Sequence, residues 1–160
     1  MKIGIIVHSH TGNTAKVAQQ LEKALAAAGN AVTMERVEAE SKETNVQGTV
    51  KLISISDPIP YDALVFAAPV WAFSLNPVMK TYLAQLPAMQ VKRAVCFVTH
   101  HFARPWMGGN RAVRQLKEAL EAKGIQVLKT GVINWSGRDL DTQIDHNVTE
   151  LSGALADEKR

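Results

Sequence analysis

An α/β fold, built on a five-stranded parallel sheet with helices on both faces, is predicted by three observations. Short apolar runs at Lys2–Val7, Ala63–Ala68 and Ala94–Thr99 are too brief for helices and have the continuous hydrophobicity of strands buried on both faces. Segments with helical spacing of apolar residues fill the intervals between them. Each run stops at a polar, proline-containing or aromatic loop, so strand and helix alternate along the whole chain.

The first strand, Lys2–Val7, ends in His8-Ser9-His10-Thr11-Gly12-Asn13-Thr14. A helix follows, because Val17, Ala18, Leu21, Ala24, Leu25 and Ala28 repeat on one face. Gly29-Asn30 stops it, and Ala31–Val37 alternates as a second strand. Glu38–Gly48 is polar and irregular and is expected to be a surface loop, while Thr49–Ile55 alternates as an extra edge strand or a hairpin arm. Asp57-Pro58-Ile59-Pro60 breaks the chain before the third strand, Ala63–Ala68, which is expected to end at Pro69.

Asn76-Pro77 has the form of a helix cap followed by proline at the first helical position, and Pro87 stops that helix near Leu86. Ala94–Thr99 is the fourth strand, and the helix Gly108–Ala122 sets Val113, Leu116 and Leu120 on one face. Gln126–Asn134 is the fifth strand, and the last helix, Asp139–Leu155, aligns Ile144, Val148, Leu151 and Leu155. Right-handed crossovers and this length suggest the order 2-1-3-4-5, which gathers ligands at the carboxyl ends of strands 1, 3 and 4.

Composition fits a single domain over residues 1–160, with 46% hydrophobic and 21% charged residues. No apolar stretch is long enough to span a membrane, and Met1 leads straight into a strand, so neither a span nor a signal peptide is expected. One cysteine, Cys96, excludes an internal disulfide and fits a cytoplasmic location. The net charge of +3 is mild, and basic residues are interspersed with acids, which argues against a nucleic-acid stripe.

The chemistry is expected in three loops. In the first, backbone N–H groups at the helix start and the hydroxyls of Ser9, Thr11 and Thr14 form a phosphate cage, with His10 and Asn13 beside it and Gly12 allowing a tight turn; a plain strand-to-helix turn with a Ser/Thr cap is the alternative. A P-loop is excluded because no Lys-Ser/Thr pair follows a glycine, and a dinucleotide fingerprint because the loop has a single glycine. In the second, Pro69-Val70-Trp71-Ala72-Phe73 offers aromatic surface to a planar ligand; alternatively Trp71 packs under the following helix. The third, from Thr99, His100, His101 and Phe102 through Trp106 to Gly108 and Gly109, is long and aromatic, and its glycines admit backbone N–H groups to a ligand's polar edge; Trp106 could equally plug the loop or meet a second copy. A metal site is disfavoured, since His8, His10, His100 and His101 come from separate loops without Asp, Glu or Cys.

Ile5, Ile6, Ser9, Gly12, Thr14, Ala18 and Leu21 fill the places of the flavodoxin family signature, with Val7 in place of the usual aromatic. Together with Pro69-Val70-Trp71 and Met79-Lys80, this resembles the short flavodoxin and quinone-reductase branches of that superfamily, over Lys2 to Leu155. The resemblance implies a flavodoxin-like three-layer sandwich and FMN as cofactor, with Trp71 covering one ring face and the third loop holding the pyrimidine side. Response-regulator receivers share the strand order but need an acidic pair after strand 1, where this chain has His8 and Ser9.

Typical flavodoxins are acidic around the ring, and this chain departs from that pattern. Arg104 and two histidines lie in the ring-side loop, and positive charge there favours the reduced anion and raises the potential. That points to an oxidoreductase passing electrons from NAD(P)H through FMN to a small acceptor such as a quinone. The alternatives are an electron carrier for a larger redox partner and a non-catalytic interaction module whose aromatic loop blocks the ring site. A homo-oligomer is compatible with each reading.

Overall fold

The computed structural model describes residues 1–40, 50–54, 56–89, 92–101 and 108–157. In chain order the elements are β1 (Lys2–Val7), α1 (Asn13–Ala27), β2 (Ala31–Arg36), β3 (Glu38–Ala39), β4 (Leu52–Ser54), β5 (Ala63–Trp71), β6 (Ser74–Leu75), α2 (Pro77–Gln85), β7 (Lys92–His100), α3 (Gly109–Ala122), β8 (Ile125–Asn134) and α4 (Leu140–Asp157). The parallel strands run β2-β1-β5-β7-β8, which is the predicted order with β5, β7 and β8 as the third, fourth and fifth strands. The family's α/β three-layer architecture is therefore present.

Alternation along each buried strand divides the core into two layers. Ile3, Ile5 and Val7 of β1 meet Val17, Ala18, Leu21 and Leu25 of α1 and Ile144, Leu151 and Leu155 of α4. Ile6 of β1 instead faces Val78, Met79, Tyr82 and Leu83 of α2 and Leu116 and Leu120 of α3. Gly4 shares the Ile6 face, and a Cβ there would sit 2.5 Å from the Tyr61 ring, which is held by its hydroxyl donating to Glu35 at 2.8 Å. Cys96 is fully buried in β7, and burial pushes its thiol up to about 12. Among the described residues, no helix is long and apolar enough to cross a membrane.

Two expectations need correction. The stretch expected to be loop from Glu38 opens as β3, which pairs antiparallel with β4, Glu38 against Ser54 and Ala39 against Leu52. This is the hairpin-arm reading of Thr49–Ile55; residues 41–49 and 55 lie outside the described residues. The third strand does not end at Pro69 but continues to Trp71, with Pro69 paired to Thr99 of β7. Pairing with β1 stops at Val7 against Ala67, so beyond that point the missing N–H of Pro69 breaks no ladder bond on the β1 side.

Candidate functional site

All three sequence-predicted loops lie at the carboxyl edge of the sheet, after β1, β5 and β7. The first turns around Gly12, the N-cap of α1, which adopts φ +94 in the left-handed region that favours glycine. A Cβ on Gly12 would meet nothing within 4 Å, so the loop leaves open space beside its backbone. Ser9 caps the helix from a distance, its Oγ accepting from Gly12 N at 3.1 Å and from Ala15 N at 3.2 Å. Thr11 is exposed and Asn13 half-buried. Thr14, in contrast, is 1% exposed, and its Oγ1 lies 2.8 Å from Oγ1 of Thr99 at the end of β7. Two hydroxyls hold two hydrogens; one joins the pair and the other remains to donate.

The second loop is a hairpin tip rather than an open loop. β5 turns back into β6 with Val70 against Leu75 and Trp71 against Ser74, so only Ala72 and Phe73 form the turn. Both have positive φ, 48 and 63, the backbone of a tight hairpin turn that normally calls for Asn-Gly. Each non-glycine residue there costs about 1 kcal/mol, and such strain persists only where the surroundings impose it. Here Gln115 of α3 imposes it: its Oε1 accepts from Ser74 Oγ and from Leu75 N, both at 2.8 Å. Lys80 Nζ donates to the same Ser74 hydroxyl at 2.8 Å. Trp71 is half-buried, and its ring meets the exposed His10 edge-on, centroids 5.9 Å apart at 78°.

The described ends of the third loop meet both. Gly108, at φ +110, lies so near the hairpin that a Cβ would stand 2.7 Å from the Phe73 Cα. Gly109 faces Val132 and the His100 ring, at 2.8 and 3.1 Å from the place of a Cβ. His100 is therefore packed beneath the start of α3, 3% exposed, whereas His101 is exposed and its Nε2 accepts from the Asn13 amide at 3.1 Å. That bond and the Thr14–Thr99 pair tie the first loop to the third at two depths. Phe102, Arg104 and Trp106 fall outside the described residues. Among the described residues, no three metal-ligating side chains come together.

Three helix starts at this edge are basic, while Glu38 and Glu40 lie beyond the end of β2. The first turns of α1, α2 and α3 contain no acid, and Lys16, Lys80, Arg111 and Arg114 are exposed on those helices. Only α4, at the far end of the edge, carries an acid in its first turn, Asp141. The helix dipoles add to this positive field.

Residues 5–146 match the family model of flavodoxin. The chain belongs to the flavodoxin family. Solved structures agree on the fold. The chain is similar to a flavoprotein in complex with FMN from Lactobacillus acidophilus, at 18% identity and TM-score 0.62, covering 89% of this chain and 97% of that one. A flavodoxin mutant from Pseudomonas aeruginosa aligns at 18% identity and TM-score 0.68, over 98% and 99% of the two chains. A flavodoxin described as WrbA-like, from Agrobacterium tumefaciens, aligns at 12% identity and TM-score 0.69, over 95% of each. In sequence alone, no curated protein matches.

The residues of this flavodoxin fit FMN, the cofactor its family implies. An acid-free helix start with open space at Gly12 suits a phosphate, and the half-buried Trp71 beside the glycine approach at Gly108 suits a ring edge. The sequence reading missed the Gln115 brace, because nothing local marks a helical glutamine as the partner of a hairpin 40 residues away. It also gave His8 no role, although His8 is buried and its Nδ1 lies 2.9 Å from the Val37 carbonyl.

Proposed function

We propose that this flavodoxin-family protein is an FMN-dependent oxidoreductase that takes reducing equivalents from NAD(P)H and passes them to a small acceptor such as a quinone. FMN, when bound, supplies the redox chemistry, and the protein sets its orientation, its field and its access. The amides at the start of α1, with the Ser9, Thr11 and Thr14 hydroxyls, hold the phosphate. Trp71 lies against one ring face, and the backbone around His101, Gly108 and Gly109 meets the ring's polar edge.

The observation that carries this reading is the acid-free, basic first turns of α1, α2 and α3. A positive field at the ring favours a negatively charged reduced cofactor and so raises its potential, which suits acceptance from NAD(P)H better than very low-potential electron shuttling. It also draws in an anionic dinucleotide. The electron-carrier reading keeps one support, the nearly full-length likeness to a flavodoxin from Pseudomonas aeruginosa. Steady-state oxidation of NADH and NADPH by the FMN-loaded protein, with and without a benzoquinone, separates the two. Quinone-dependent turnover is the expected result; no turnover with either dinucleotide overturns the oxidoreductase reading.

A further inference from the structure

A second concavity opens beside the first loop, between the end of β2 with β3 and the first turn of α2. It encloses about 300 Å³, at the small end of ligand pockets. It shares His8, Ser9 and His10 with the first loop, but Trp71, Thr99, His100 and Gly108 do not line it. Resting on the oxidoreductase reading above for the identity of the occupant, we propose that this cavity is a separate small-molecule site that takes the adenosine end of the dinucleotide donor.

The argument begins with His8, which lines the cavity and is 9% exposed. Its Nδ1 lies 2.9 Å from the Val37 carbonyl oxygen. A carbonyl only accepts, so Nδ1 carries the hydrogen. Burial, helped by the charge of His10 and opposed by the Val37 bond and by Glu38, holds the imidazole below its ordinary 6.5, so the ring is neutral at pH 7. Nε2 is then a lone pair on the wall of a cavity, with no protein partner among the described residues. An accessible acceptor on a cavity wall can take a donor from a ligand.

The remaining lining selects among donors. Val37 and Val78, each 1% exposed, and Ile53, 64% exposed, give an apolar surface for a flat ring. A ligand there would also cover Ile53, one of the few large apolar side chains that the described surface leaves in water. Glu38 and Glu40 bring two exposed carboxylates, with Arg36 as the cation of the lining and Lys51 Nζ 3.9 Å from Glu40. A phosphate or carboxylate would therefore face a lone pair, with no net positive charge to hold it. An uncharged ring with an amino donor and flanking hydroxyls meets every one of these groups favourably. Adenosine has that chemistry: its 6-amino group donates to His8 Nε2, its base lies on Val37 and Val78, and its ribose hydroxyls donate to the carboxylates.

The test uses adenosine itself, titrated into the FMN-loaded protein and followed by the ring-nitrogen NMR signals of His8 and by calorimetry. Saturable binding that shifts His8 Nε2 is expected, with purine riboside, which lacks the 6-amino donor, about tenfold weaker. His8→Phe removes the acceptor and Ile53→Trp fills the mouth without entering the core; each should weaken adenosine at least about tenfold, with FMN content reporting that the fold is intact. Adenosine that leaves His8 unshifted, or binds both variants as it binds wild type, overturns the site. NADH oxidation is scored separately. Turnover without adenosine binding overturns this inference and leaves the oxidoreductase reading standing, whereas adenosine binding at His8 without turnover leaves an adenosine site but overturns the oxidoreductase reading and, with it, the dinucleotide as occupant.

Discussion

The Thr14–Thr99 pair offers a quantitative test of how the first and third loops are joined. Both hydroxyls are buried, at 1% and 4% exposure, and 2.8 Å apart. Thr14→Val keeps the shape, removes one hydroxyl and leaves Thr99 Oγ1 without its partner, which costs about 1–3 kcal/mol. Thr99→Val does the same to Thr14. In the double variant no orphan remains, so the loss should be no greater than that of one single change, a coupling of at least about 1–3 kcal/mol. Urea unfolding of the FMN-free protein reads this directly: with a slope of about 1–3 kcal/mol/M, each single variant shifts the midpoint down by about 1 M. Single losses that simply add in the double variant would refute the bond. Ligand affinity supplies a second axis. If the remaining hydroxyl hydrogen serves the phosphate, Thr14→Val weakens FMN by about 1–3 kcal/mol and riboflavin, which lacks the phosphate, hardly at all. Equal losses would mean that Thr14 acts only as a clamp.

Other expectations follow from single contacts. If the flavin ring lies on Trp71, FMN should quench tryptophan fluorescence strongly, and Trp71→Leu should abolish most of that quenching; unaltered quenching would move the ring elsewhere. Gly108→Ala, strained at φ +110 and 2.7 Å from the Phe73 Cα, should lower FMN affinity at least about tenfold. Gly4→Ala pushes against the Tyr61 ring instead, so it should cost about 1–3 kcal/mol of stability while FMN affinity holds, and loss of FMN affinity in both would show that neither effect is local. His8 also predicts a pH dependence. Its folded pKa lies below 6.5, so the unfolded chain takes up the proton first as pH falls. Stability should be full above about pH 6.5, decline from there to the folded pKa, and lose that part of its slope in His8→Phe.

The parts of this fold that were legible in the sequence are those that depend on neighbours in the chain. The apolar runs of β1, β5 and β7 marked the central strands, because burial on both faces leaves a continuous hydrophobic stretch. The Gly12 turn and the Asn76-Pro77 cap were readable for the same reason: the Asn76 side chain accepts from Val78 N, two residues away. What escaped depends on partners distant in sequence. Pro69 reads as a strand end until one knows that β1 has already stopped beside it. Ala72 and Phe73 carry no turn signal, since the geometry comes from Gln115 and Gly108 rather than from their own preferences. His100 reads as a ligand group by position, yet its packing against Gly109 and Val132 could not be inferred from either stretch alone.

The approach of Gly108 to the Phe73 backbone has a consequence for sequence variation. The spacing between the two outer loops is fixed by main chain against main chain, and the only residue it requires is a glycine on one side. Exposed side chains that take no part in this approach are then at liberty to drift without altering the width it sets. A cleft dimensioned in this way can be inherited as a shape while its lining is rewritten.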